Sequence, residues 1–337
     1  MTAEKRRRPA VVVLGDINID ILARIETFPT PGEDCLAPAL ELHCGGVGAN
    51  TALALAKWGL PVRLLGCIGR DGFGELALRF LRGEHVDVSR IQRTDRAVTG
   101  LMFIAVGADG QRTIFGSRGA NAEVTRKGEL RHLEGAQAAH LVGYSFLSPS
   151  VAEVTERVLR KAHQRRRLVS LDVGMAPSRQ IPQKILQLAG KVDILFVGLS
   201  EATALTGKPD RFEAFGARSG DEARRPGLPV PGKRETRPRK RRQRRWCRQP
   251  SQGKAALWAR LRGWPPAESA LLANAAGAAA ACVVGAGEAT PGPQQILRQL
   301  RASRLSNEWD RIRIGLLERL GAELETKDSG SSPGRLE

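Results

Sequence analysis

Hydrophobic positions along the chain switch repeatedly between short continuous runs and longer helical periods. Residues 10–14 form an unbroken apolar run ending at Gly15, the pattern of a strand buried on both faces of a parallel sheet. Residues 50–58 read as a helix closed by Gly59, residues 61–68 as a second strand, and residues 73–82 as another helix. Residues 99–106 and 111–115 are rich in strand formers and flank Ala108-Asp109-Gly110, a hairpin turn. Apolar runs at 138–142, 168–173 and 192–197 predict further strands, and residues 151–164, 180–189 and 200–206 carry helical patterns. Such alternation predicts an α/β fold, a sheet with helices on both faces and ligands beyond the carboxyl ends of its strands.

The pattern fails after Gly207. Residues 218–248 hold 13 Lys or Arg against three acids, and Lys233 to Arg248 has ten basic residues in sixteen. Pro226, Pro229, Pro231, Pro238 and Pro250 fall in the same region. Like charges repel and proline blocks helices, so residues 212–258 are expected to be a basic, proline-rich, disordered stretch. Order is expected again near Ala255, and residues 267–282 carry a strong alanine-rich helical signal. The tail over 325–337 is polar and expected to be disordered. So abrupt a loss and return of pattern is what a segment translated out of frame or mis-spliced leaves behind.

Composition refines this picture. With 337 residues and 42% hydrophobic content the chain can bury a large α/β core. More than half of its net charge of +18 comes from the basic stretch, so the overall charge says little about the folded part. Cys35, Cys44, Cys67, Cys247 and Cys282 are scattered without metal-ligand spacing, which points to a reducing compartment. The basic start is followed by too short an apolar run for a signal peptide, and no stretch reaches membrane-spanning length, so a cytoplasmic location and no membrane partner are expected. The run 233–248 can attract phosphates or read as a nuclear localisation signal, but Trp246 is its one aromatic. A solvated run is therefore the expectation, and nucleic acid is the minor alternative.

Two segments carry candidate chemistry. In Gly15-Asp16-Ile17-Asn18-Ile19-Asp20, a carboxylate and an amide at a strand end can pair with vicinal hydroxyls, or can form a turn with an Asx cap. In Gly45-Gly46-Val47-Gly48-Ala49-Asn50, glycines let the backbone approach a ligand at a helix start, or make a tight helix entry. No predicted strand runs directly into this second segment, and its spacing is not GxGxxG.

These two segments, with Phe28–Glu33 between them, are followed by stretches at 66–75, 86–91, 99–100, 109–114, 118–125, 171–174 and 193–207. In this order the series resembles the PfkB carbohydrate kinases, the group containing ribokinase, fructokinase and adenosine kinase. The resemblance covers about residues 10–210 and resumes over about 261–290. It implies a ribokinase-like three-layer sandwich over residues 9–300, with a central mostly parallel sheet. A small β lid would come from about 24–44 and 99–118. The implied activity is ATP-dependent phosphorylation of a hydroxymethyl group on a sugar or nucleoside, with Mg2+ and a monovalent cation as cofactors and a homodimer through the lid.

The resemblance also implies roles for single residues. Asn18 and Asp20 match the family's sugar-hydroxyl ligands, and Gly45, Gly46 and Asn50 match its glycine loop around the sugar. Glu201 matches the acid of an Asn-x-x-Glu motif that organises magnesium and phosphate through water. Asn274 matches a position lining the adenine pocket.

Three departures matter. The Asn of Asn-x-x-Glu is Gly198, and Leu147 stands where ribokinase carries a sugar-contacting glutamate, with Tyr144 and Ser145 nearby. The third is the family's Asp-Thr-x-Gly-Ala-Gly-Asp, which opens a helix and supplies the catalytic base; nothing like it lies between Gly207 and Arg262. Gly285-Ala286-Gly287-Glu288 resembles its end but follows the alanine-rich helix, where the family has a loop near the adenine and cation site. No catalytic base is assigned. The sequence thus allows an impaired kinase, an inactive sugar-binding protein, or nucleic-acid binding through 233–248.

Overall fold

The computed structural model describes residues 10–125, 133–207, 245–247, 250–265, 268–269, 271–273, 275–276, 291–302 and 314–322. Asn274, Gly285–Glu288, most of the basic run and the tail over 325–337 lie outside the described residues.

Twelve strands are described. In chain order they are β1 (Val11–Leu14), β2 (Asn18–Arg24), β3 (Leu40–Gly45), β4 (Val62–Leu65), β5 (Cys67–Gly69) and β6 (Gln92–Thr94), then β7 (Gly100–Val106), β8 (Arg112–Ser117), β9 (Ala138–Val142), β10 (Leu168–Asp172), β11 (Ile194–Phe196) and β12 (Arg245–Cys247). The central sheet has the order β12-β11-β10-β9-β1-β4 and is parallel throughout. Parallel strands need crossovers, and helices supply them: α1 (Val47–Lys57), α2 (Gly72–Gly83), α3 (Pro149–Gln164), α4 (Met175–Gln180), α5 (Pro182–Ala189), α6 (Leu199–Thr206), α7 (Pro250–Leu261) and α8 (Pro293–Ala302). Two apolar clusters lie on opposite faces of the sheet, one built around Val11, Val13, Leu53 and Trp258, the other around Val12, Leu14, Val158 and Val169. Successive β1 residues alternate between them, as the two-residue strand period requires. The fold is the expected α/β sandwich.

A four-stranded sheet in the order β3-β2-β7-β8 stands apart from the core as the lid. Its root is tied by Asp71, which caps α2 through Gly74 N (2.8 Å) and accepts from Thr99 N (2.7 Å) and Thr99 Oγ1 (2.9 Å) at the entry to β7. The lid begins at Asn18, earlier than the expected 24. Asn18 and Asp20 therefore lie on its first strand and not at the tip of a core strand.

Two further expectations are corrected. β3 does run directly into the glycine segment. It escaped notice because it is mostly exposed up to His43 and lacks a buried run. The disorder expected over 212–258 does not extend to 245–247 or 250–258. There β12 adds to the sheet edge beside β11, and α7 buries Ala255, Leu257 and Trp258. Pro250 begins that helix, where a missing N–H costs nothing. No helix among the described residues is long and apolar enough to cross a membrane.

Candidate active site

Between the lid and the carboxyl ends of the central strands lies a cleft of about 1220 Å3. Asn18, Asp20, Gly46, Asn50 and Glu201 all line it, and so do Asp16, Arg118, Tyr144 and Asp172. Gly45 is adjacent: a Cβ there would lie 2.0 Å from an Asp20 carboxylate oxygen. Gly46 has φ +88° and a Cβ on it would lie 2.4 Å from the Asp16 carbonyl oxygen, so this bend admits no side chain. Leu147 is not in the lining, whereas Tyr144 is.

The glycine bend gives α1 an N-terminus without a side-chain cap, facing the cleft. Asn50, in its first turn, has a buried Oδ1 with no hydrogen-bond partner among the described residues. A buried orphan acceptor costs about 1–3 kcal/mol until a donor arrives. A ligand hydroxyl is such a donor.

Asn121 organises the other side. Its Oδ1 accepts from Ile17 N (2.7 Å), and its Nδ2 donates to Ile17 O (3.2 Å), Asn18 Oδ1 (2.8 Å) and Arg118 O (2.8 Å). With its Oδ1 engaged, Asn18 has its Nδ2 hydrogens for a ligand. Arg118 forks onto Asp16, with Nε to Oδ2 and Nη2 to Oδ1 both at 3.0 Å, and its Nη1 reaches Ser148 Oγ at 3.2 Å. That bidentate pair fixes the carboxylate, which is only 5% exposed. Sequence reasoning gave no role to Asp16, Arg118 or Asn121, although Asp16 stands in the 15–20 segment and Arg118 and Asn121 stand in the 118–125 stretch of the resemblance.

The floor is acidic. Asp172 ends β10 and is 2% exposed; burial pushes its carboxyl up, the Glu201 charge adds to this, and Lys254 on α7 opposes it. Glu201 is also raised by burial, against the Gly198 N–H that its Oε2 accepts at 2.7 Å. Lys254 is lowered by burial, with Asp172 holding it up. With Gly198 in place of the expected Asn, the helix entry has no side-chain cap of its own, and Glu201 fills that role.

Residues 8–223 match the sequence profile described as pfkB family carbohydrate kinase. The chain belongs to the pfkB family. Among the relatives of this pfkB protein is the ribokinase of Staphylococcus aureus (strain COL), 32% identical over 198 residues, which are 58% of this chain and 63% of that one. Another is the ribokinase of Haemophilus influenzae, 29% identical over 204 residues, 59% of this chain and 63% of that one. The match thus spans less than two thirds of these relatives' length. By structure the pfkB chain is similar to Arabidopsis thaliana ribokinase, solved with ribose and ATP, at TM-score 0.66 and 25% identity, covering 88% of this chain and 99% of that one. It is similar in fold to the ribokinase of Thermotoga maritima, at TM-score 0.66 and 22% identity, covering 87% and 99%.

Proposed function

We propose that this protein binds a sugar or nucleoside in the lid cleft and transfers to its hydroxymethyl group the γ-phosphate of ATP, at a reduced rate. The observation that carries this reading is the convergence of Asn18, Asp20 and the unpartnered Asn50 Oδ1 on one cleft with a buried acidic floor. Asn18 offers a donor, Asp20 and Asn50 offer acceptors, and vicinal hydroxyls need both. The first turn of α1 adds N–H groups to the same wall.

Magnesium fits this floor. Two buried carboxylates, Asp172 and Glu201, are both pushed up by burial, the Glu201 charge adds to the rise at Asp172, and Lys254 supplies one cation against the two. Among the described residues no three metal-ligating side chains cluster, which suits an ion that keeps its waters and arrives on phosphate oxygens. Glu201 and Asp172 would hold it, and it would neutralise phosphate charge during transfer. The lid carries Asn18 and Asp20 on its first strand, and closing over the ligand it would exclude water from the reacting centre.

In the transfer, the hydroxymethyl oxygen bonds to the γ-phosphorus, the bond to ADP breaks, and the hydroxyl proton goes to a base. The family's base opens the helix that follows the last sheet strand. Here that helix is α7, and residues 236–267 contain no Asp or Glu. This absence favours a second reading, a protein that retains the ligand and does not phosphorylate it. The adenine contact at Asn274 and the monovalent cation stay part of the proposal on resemblance alone, as does a cytoplasmic location.

A panel of pentoses, hexoses and nucleosides with ATP and Mg2+ separates the readings. ADP release above background supports the kinase. Ligand-dependent thermal stabilisation without ADP release supports the binding protein. In either case Asn50→Leu abolishes the stabilisation, and persistence of ligand binding in that variant refutes the site.

A further inference from the structure

The inner face of the lid changes character in successive register rows. At its root Asp20 stands beside Met102 and across from His43. Two residues further out, Leu22, Ile104 and Ile114 face one another across three strands. Beyond them Val106 lies between Arg24 and Arg112. All of these line the cleft. Rows two residues apart along a strand are separated by about 6.6 Å, so the aliphatic row begins where a sugar held by Asn18 and Asp20 would end.

A free pentose presents hydroxyls on nearly every edge and gains little from branched aliphatic side chains. Ile114 is 48% exposed in this open cleft, an apolar surface that an occupant could cover. A flat heteroaromatic ring attached to the sugar would do so, because apolar contact on the ring face stabilises in proportion to the area removed from water.

Resting on the reading of the cleft as a polyhydroxy-ligand site, we infer that its substrate is a nucleoside, with the ribose on Asn18, Asp20 and Asn50 and the base against Leu22, Ile104 and Ile114. The arginines at the outer row remain beyond the base. The lid then acts as the specificity element, with a polar root for the sugar and an aliphatic middle for the base.

Calorimetric titration of the full chain with D-ribose, uridine and adenosine tests this, in the presence of a saturating non-hydrolysable ATP analogue that blocks the nucleotide site. A nucleoside should bind at least tenfold more tightly than ribose, and Ile104→Ser should cut that ratio several-fold. Ile114→Ser, on an exposed edge strand, should act in the same direction and serves if the first variant does not fold. Ribose binding as tightly as either nucleoside overturns the inference while leaving the sugar site standing. So does a ratio that neither serine variant changes, or nucleoside binding that the ATP analogue displaces. Failure of all three ligands to bind removes the cleft assignment itself, and the inference with it.

Discussion

His140 sits in the middle of β9, 1% exposed, with Nδ1 2.9 Å from Ser170 Oγ on β10 and its ring tilted against Phe196. Its Nε2 has no hydrogen-bond partner among the described residues. The tautomer with hydrogen on Nδ1, donating to Ser170, leaves only an acceptor unpaired, the cheaper orphan. Burial, helped by the positive charge of Lys254, pushes this imidazole down to about 3. In the unfolded chain it titrates near its ordinary value of 6.5. The unfolded state therefore takes up a proton as pH falls below about 6.5 while the folded state stays neutral, and stability is lost down to about pH 3. Between pH 7 and pH 5 this single group should cost about 2 kcal/mol. His140→Gln, which retains a polar partner for Ser170, should flatten the loss by that amount in urea unfolding curves. An identical pH slope in the variant would show that His140 is not the group responsible. At this scale the cleft was partly legible. Asn18, Asp20 and Asn50 stand in short motifs whose chemistry reads directly, but Asp16 and Arg118 meet across 102 positions and no local pattern announces such a pair.

At the scale of elements, the tryptophans explain why α7 is ordered beside so basic a stretch. Trp258, 2% exposed, lies edge-on to Trp58 with centroids 4.9 Å apart and to Trp264 at 5.2 Å. Its Nε1 donates to Trp58 O at 3.0 Å, while Trp58 Nε1 donates to Pro291 O at 3.3 Å. The Arg262 guanidinium rests 4.1 Å from the Trp258 ring centre, covering the outer face. This cluster fastens α7 to the end of α1 and brings Lys254 to the acidic floor. Trp258→Ala should destabilise the protein by about 3–5 kcal/mol, the usual cost of emptying a large buried aromatic site. Trp258→Phe should cost less. Guanidinium denaturation measures both, and a shift under 1 kcal/mol for the alanine variant would mean α7 is not held this way. Helices with an apolar stripe, such as α2 and α3, were readable from sequence because their periodicity is local. The pattern over 180–189 hid a break at Ile181, where α4 ends and Pro182 starts α5. β12 was unreadable for a different reason: a three-residue edge strand is held by backbone pairing to β11, which charge and hydropathy do not report.

The whole molecule leaves one surface unexplained by a monomer. On the outer face of the lid, Leu42, Ile21, Phe103 and Phe115 align in a single register row across all four strands. Phe115 is 64% exposed, Leu42 44% and Phe103 39%. Scattered exposed hydrophobics are ordinary, but register sets Phe103 and Phe115 side by side, with Leu42 beyond the partly buried Ile21, which packs toward the core. Two such rows brought together about a twofold axis would cover each other, since an isologous contact uses the same patch twice. The homodimer through the lid that the family resemblance implies would use this row, and it has an energetic corollary. Phe115 is the most exposed residue of the row, so Phe115→Asp should cost the monomer only about 1 kcal/mol, chiefly the lost cross-strand pairing with Phe103. It should nevertheless place a charge at the dimer centre, where desolvating an unpaired carboxylate is prohibitive. Sedimentation velocity at tens of micromolar should show the wild type at twice 36.5 kDa and the variant at that mass. A wild-type chain that sediments as a monomer at this concentration rules the lid dimer out. Since β2 carries Asn18 and Asp20 on the cleft face and Ile21 on the outer face, pairing of lids would also stiffen the strand that holds the ligand. The monomeric variant should then bind its ligand more weakly even though no residue of the cleft has changed.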